Sequence, residues 1–234
     1  MTRNEPPRCN LCGSTSFTEY RKRPAEQCSN CLSKARHRVG WAVYESHLFP
    51  FLETRTAPKV LHLAPARALH DKMAAKIGSG YITSDPVPER YPHSKCLQLY
   101  FPQDFSIFPN GYFDAIIHNH VLEHIPGHYG DHLREFTRLL APGGKMMFSI
   151  PGPYKGVETR EGGEHMETDE ERLEAFRQED HFKMIGDDLY TTLDELPGGR
   201  SIPDGITDEQ RAALSVRPGK APFFIWQRDE IAAK

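Results

Sequence analysis

Four of the five cysteines fall in two pairs of equal spacing, "CNLC" at Cys9–Cys12 and "CSNC" at Cys28–Cys31. Two residues between cysteines let one tight turn aim both thiolates at one ion, and two such turns complete a tetrahedral shell. Thiolate softness and tetrahedral geometry favour zinc over magnesium or calcium. Four protein ligands leave no open position, so the expected role is structural. The spacer "GSTSFTEYRKRPAEQ" opens with turn residues and then carries Phe17 and Tyr20, enough for a short hairpin. A unit this small has little core of its own, so the metal would supply much of its folding free energy. We place this zinc ribbon at residues 1–34 and a second domain at 35–234. Cys96 stands alone.

Histidines are the second chemical resource. His120, His124, His128 and His132 recur every four residues, but Pro126 and Gly127 interrupt any helix that would align them on one face. His120 follows an apolar run, "FDAIIHNH", and "QEDHF" at Gln178–Phe182 sets Asp180 beside His181. Imidazole accepts a proton near neutral pH and a neighbouring carboxylate orients it, so His120 and His181 are the candidate catalytic bases. The run Arg36, His37, Arg38 is a candidate substrate-binding element with Asp180, since guanidinium pairs carboxylate or phosphate in a forked geometry.

These groups must be positioned by the rest of a 234-residue chain with a net charge of −3. That length buries one good α/β core beside a small appendage. "KVLHLA" reads as a buried strand, "RALHDKMAAKI" as the helix behind it, and "GYITSDP" as a second strand ending in Asp85. "FDAIIHNH" is a third strand, and "DHLREFTRLL" a helix with Leu133, Phe136, Leu139 and Leu140 on one face. "APGG" is expected to end that helix and "KMMFSIP" to form the next strand. "SKARHRVGWAVYESHLF" suggests an amphipathic helix joining ribbon to core, and "TDEE" and "TDEQ" suggest capping boxes at Thr168 and Thr207. "LPGGRSIPDG" reads as a loop at the pocket rim, and "PFFIWQR" as the last strand. Alternating strands and helices imply an α/β, Rossmann-like, doubly wound, mostly parallel sheet whose ligand lies beyond the carboxyl ends of its strands.

The first strand's exit, "LAPAR", has no glycine. Dinucleotide sites need glycine there so that backbone can approach a pyrophosphate. Ala64, Pro65 and Ala66 instead make a small-residue floor suited to a ligand without phosphates, with Leu63, Ala64 and Pro65 as candidate cofactor contacts. Asp85, at the end of the second strand, suits the ribose hydroxyls of an adenosine because a carboxylate accepts from both.

The order of these elements resembles the class I S-adenosylmethionine-dependent methyltransferases. "CSNCLSKARHRVGWAVY", "VLHLAP", "NHVLEHIP" and "DEERLEAFRQEDHFKMIGDDLYTTL" further resemble one zinc-ribbon subgroup of that family, across most of the chain. The resemblance implies a class I methyltransferase fold, S-adenosylmethionine as cofactor, and the last strand inserted antiparallel. It also implies that His118 or Asn119 lines the cofactor and that Asp104 meets the adenine amino group. Ala66 stands where the subgroup has a glutamate, and Ala35 where it often has an acid.

The expected acceptor is a small molecule, either a metabolite, a sugar or a natural-product intermediate, with anionic ones included. An RNA acceptor recognised through the ribbon is the alternative, opposed by the acidic balance and by the lack of an aromatic-interleaved basic stripe. A further alternative is a non-catalytic adaptor with a degenerate cofactor site. The polar opening "MTRNEPPRC" and the short apolar runs, such as Ala221–Trp226, lead us to expect a cytoplasmic protein without membrane spans, a monomer or homodimer.

Overall fold

The computed structural model describes residues 5–230; the outer ends of both expected domains, residues 1–4 and 231–234, lie outside the described residues. Phe17–Tyr20 (β1) and Arg23–Cys28 (β2) pair antiparallel, with Phe17 opposite Cys28. The hairpin therefore delivers one cysteine pair to the other.

Ala35–Val43 (α1) follows, continues through a π-helical turn at Tyr44–Leu48, and ends as Phe49–Leu52 (α2). The expected amphipathic helix is instead enclosed on nearly every side. Ala35, His37, Arg38, Val39, Gly40, Trp41 and Val43 are all buried. The reason is its position, because Val39, Val43 and Tyr44 belong to one apolar cluster with Cys9 and Leu11 of the ribbon and Met147 and Ile225 of the sheet.

The sheet elements follow the expected alternation. They are Val60–Leu63 (β3), Arg67–Ile77 (α3), Tyr81–Asp85 (β4), Leu97–Gln98 (β5), Phe113–Asn119 (β6), Tyr129–Leu139 (α4) and Leu140–Ser149 (β7). Asp169–Phe176 (α5), Asp188–Glu195 (α6), Gly199–Ile202 (β8), Asp208–Ala213 (α7) and Phe224–Arg228 (β9) complete the chain. The seven strands lie in the order β5-β4-β3-β6-β7-β9-β8, parallel from β5 to β7 and antiparallel at β9. Strand alternation divides the core into two layers: Leu61, Leu63 and Ile116 face one, and Val60, Ala115 and Ile117 the other. Thr168 and Thr207 both close capping boxes, accepting from the backbone N–H of Glu171 and Gln210.

Two expected loops are strands. "APGG" lies inside β7 as a bulge, because Phe113 pairs with Leu140 while Ala115 pairs with Lys145. Gly143 has φ +72°, and a Cβ on Gly144 would lie 2.7 Å from the Ala141 carbonyl oxygen. Those glycines serve the bulge rather than a helix stop. In "LPGGRSIPDG", Gly199–Ile202 pairs with β9 as the sheet edge. Among the described residues, no helix is long and apolar enough to cross a membrane.

Candidate functional site

The four ribbon thiols converge, with all Sγ atoms within 4.8 Å of one another. Cys9 Sγ lies 3.6 Å from Cys31 Sγ, and Cys12 Sγ 3.5 Å from Cys28 Sγ. Each pair sits on a matching turn, in which Cys9 N–H donates to the Ser14 carbonyl and Cys28 N–H to the Ser33 carbonyl. The residue after each second cysteine, Gly13 or Leu32, is left-handed. This soft, four-sulfur, tetrahedrally sized donor set fits zinc, which Cys9, Cys12, Cys28 and Cys31 would hold.

At the carboxyl edge of the sheet, β3 and β6 both turn sharply. Ala64 has φ +50° and His120 φ +57°. Leu63 itself is buried in the core, and the buried Pro65 offers only its carbonyl, which accepts from His93 Nε2 at 2.9 Å. Half-buried Asp85 ends the neighbouring β4, and its Oδ1 accepts from Val87 N–H at 2.9 Å. Ala64 supplies the left-handed residue a glycine would otherwise provide, so this edge fits an adenosine without phosphates.

Other expected cofactor residues are placed differently. His118 is sealed between Phe136 and Phe148, with ring centroids 4.9 and 4.7 Å away, and burial lowers its pKa to about 3. It is a core ring and does not line the crevice. Asn119 is held in a relay, accepting from Ser149 Oγ at 3.0 Å and donating to Tyr44 Oη at 2.8 Å. Asp104 Oδ2 accepts from Tyr100 N–H at 2.6 Å and so braces its own turn.

A cleft of about 1010 Å³ opens beside this edge. The ribbon contributes Arg21 and Arg23, the start of α1 Lys34 and Arg36, and the segment before β9 Arg217 and Lys220. Of the expected run, only Arg36 reaches the cleft. His37 is buried, its Nδ1 accepting from Lys34 N–H at 3.3 Å. Arg38 is fully buried and spends its guanidinium on the carbonyls of Glu26, Ser33, Leu214 and Ser215, at 2.7 to 3.2 Å. It clamps the ribbon to the carboxyl-terminal segment and, being fully buried, does not line the cleft. The cleft lining does not include Ala64, Pro65, Asp85 or Asp104.

The cleft floor carries a carboxylate that the sequence analysis did not single out, Glu123, beside His124. The Glu123 carboxylate is 2 % exposed, 3.6 Å from His120 Nδ1 and 3.9 Å from His124 Nε2. Burial raises its pKa to about 7. His181 is buried against His124, ring centroids 4.8 Å apart, and burial lowers its pKa to about 4. Burial, followed by the nearby Arg36 charge, holds the pKa of His120 well below the usual imidazole range, yet its side chain is 26 % exposed to the cleft. The expected Asp180–His181 pair is not formed as such: the Asp180 carbonyl accepts from His124 Nδ1 at 2.8 Å, and its carboxylate lies 3.7 Å from the same nitrogen. The segment also brings Lys183, fully buried, which donates to the carbonyls of Ile125 and Gly127. An acid set directly after the apolar pair Val121–Leu122 and before a histidine, in "VLEHI", was the clue to Glu123.

No curated protein matches the chain. Solved structures share its fold: an S-adenosylmethionine-dependent methyltransferase from Archaeoglobus fulgidus aligns with 13 % identity and a TM-score of 0.52, covering 83 % of this chain and 94 % of that one. A Listeria monocytogenes protein described as a putative methyltransferase of the same kind gives 15 % identity and a TM-score of 0.50, covering 83 % and 100 %. The methyltransferase domain family matches residues 56–193, which span β3 to most of α6 and more than half of the sequence. The chain belongs to that methyltransferase family.

Proposed function

We propose that the protein transfers a methyl group from S-adenosylmethionine to a small, anionic acceptor held in the cleft between the ribbon and the sheet edge. The observation that carries this reading is the cleft wall itself, where Arg21, Arg23, Lys34 and Arg36 outnumber Glu26 on the ribbon side, above a floor that holds His120, Glu123 and His124. When bound, the cofactor supplies a methyl carbon made electrophilic by its sulfonium, open to in-line displacement with the bond pair left on sulfur. Ala64 and Asp85 are the residues we assign to holding it, with Leu63 and Pro65 shaping the turn beneath.

The chain's own contribution is alignment, charge and proton acceptance. Arg36 would pair an acceptor carboxylate or phosphate at the cleft wall. His120 is the residue we assign to take the acceptor's proton, because its ring reaches the cleft and its Nδ1 lies 3.6 Å from the Glu123 carboxylate, which would steady the charge it gains. His181 lines the same cleft but is 3 % exposed, its ring packed edge-on against His124, so it is not assigned as the base. We further assign the ribbon, residues 1–34, as a zinc-stabilised wall of this cleft, in keeping with the zinc-ribbon subgroup.

The ribbon arginines also favour a second reading, in which the acceptor is RNA. Release of S-adenosylhomocysteine, measured over carboxylated and phosphorylated amines and alcohols, and separately over tRNA and rRNA fragments, separates the two. Turnover of a small anion with a KM raised about tenfold in Arg36→Ala supports the first. Turnover of RNA alone, falling steeply with salt, replaces it with the second.

A further inference from the structure

Glu123 and His124 leave β6 on one loop, whereas His181 arrives 57 residues later on another. One ligand atom from each of the three lies within 4.8 Å of the others. We infer that Glu123, His124 and His181 form a second metal site, apart from the cysteine cluster, that takes a divalent transition ion and turns its open coordination positions toward the acceptor cleft.

Three independent features support it. First, both carboxylate oxygens of Glu123 are buried and have no hydrogen-bond partner. A buried carboxylate without a partner is unfavourable, and a cation at the cluster's centre is the group that would satisfy it. Arg36 lies close enough to act electrostatically on Glu123 but is bonded to neither of its oxygens. Second, His124 is already oriented as a metal ligand. Its Nδ1–H donates to the Asp180 carbonyl at 2.8 Å, which leaves the Nε2 lone pair directed to the side where Glu123 Oε1 lies 3.9 Å away. Third, the two loops are fastened together independently of any ion. Phe182 N–H donates to the Glu123 carbonyl at 2.9 Å, and Lys183 Nζ donates to the Gly127 carbonyl at 2.8 Å. The site is thus assembled before metal arrives.

Two imidazoles and one carboxylate suit zinc, iron(II), cobalt(II) or nickel(II) better than magnesium or calcium, and three protein ligands leave positions open. All three residues line the cleft, and His120 stands at its edge with Nδ1 3.6 Å from Glu123 Oε1. Resting on the methyltransferase reading, the ion would anchor an oxygen or nitrogen donor of the acceptor and so set which atom is presented for methylation.

The test uses the full chain with its ribbon loaded with zinc. Equilibrium dialysis against cobalt(II), with both metals counted by mass spectrometry, is expected to leave one zinc and add one cobalt. That cobalt should show weak d–d bands without thiolate charge transfer. His124→Gln and His181→Gln should each weaken cobalt binding by more than about tenfold and keep the zinc. If either variant misfolds by circular dichroism, Glu123→Gln, which keeps the side-chain shape, serves in its place. No added cobalt in the wild type, or undiminished cobalt in folded variants, overturns the site. Calorimetry with S-adenosylhomocysteine on the same samples separates the two claims. Cofactor binding without cobalt sinks only the metal site, whereas cobalt without cofactor binding sinks the methyltransferase reading.

Discussion

Ala64 and His120 share a left-handed backbone, φ +50° and +57°, at the carboxyl ends of two adjacent parallel strands. Leu63 pairs with His118 across β3 and β6, so the two turns lie nearly side by side. A left-handed conformation costs an L-residue roughly 1–2 kcal/mol, and glycine avoids that at the expense of unfolded-state entropy. Ala64→Gly is therefore expected to leave stability unchanged or raise it by up to about 1 kcal/mol, with cofactor affinity retained. Thermal melts check this; Ala64→Val, β-branched at the same φ, should lower the melting temperature by several degrees.

Arg38 joins three parts of the chain through four backbone carbonyls. Arg38→Met would leave those carbonyls buried without a donor, an expected loss of at least about 3 kcal/mol. Arg38→Lys should not rescue it, because one ammonium cannot span the guanidinium's fork. Urea unfolding of both variants measures the difference. Equal, near-wild-type midpoints would return Arg38 to the pool of substrate-binding candidates.

Acid sensitivity follows from His62 and His118, both fully buried with pKa values lowered by burial to about 3. In the unfolded chain each titrates near 6.5. Between those values the unfolded state binds protons that the folded state refuses, so stability is fully present above about pH 6.5 and is lost as pH falls toward 3. From pH 7 to pH 5 the loss is roughly 2 kcal/mol per histidine. Melts at the two pH values should show a smaller drop for His118→Phe, whose ring can stack in the same slot. An unchanged pH dependence would show that His118 is not the titrating group.

Zinc removal tests how far the ribbon belongs to the site. Chelation should free the thiols for titration and loosen the ribbon wall that carries Arg21 and Arg23. S-adenosylhomocysteine binding at Ala64 and Asp85 should survive within about twofold, because those residues stand on β3 and β4. Loss of that binding would make the ribbon part of the cofactor site.

The strand–helix order was legible because "KVLHLA", "FDAIIHNH" and "KMMFSIP" are apolar runs of strand length bounded by turn residues. His118 was misplaced although the information was present: period-two alternation puts it on the face of Ile116, toward Phe136 and Phe148, and Asn119 on the other. The bulge in β7 was not legible, since glycines that end a helix and glycines that make a bulge have the same composition. Nor could local sequence separate Arg36 from Arg38. Both sit on α1, and only the ribbon packed over that helix decides which one is enclosed. The Glu123–His181 meeting is a product of chain return and has no local sign.

The most direct measurement is titration calorimetry of the zinc-loaded protein with S-adenosylhomocysteine, beside Asp85→Asn. The account predicts one binding event per chain, weakened at least tenfold in the variant while its melting temperature holds. Absence of heat in the wild type, or equal affinity in Asp85→Asn, would contradict it.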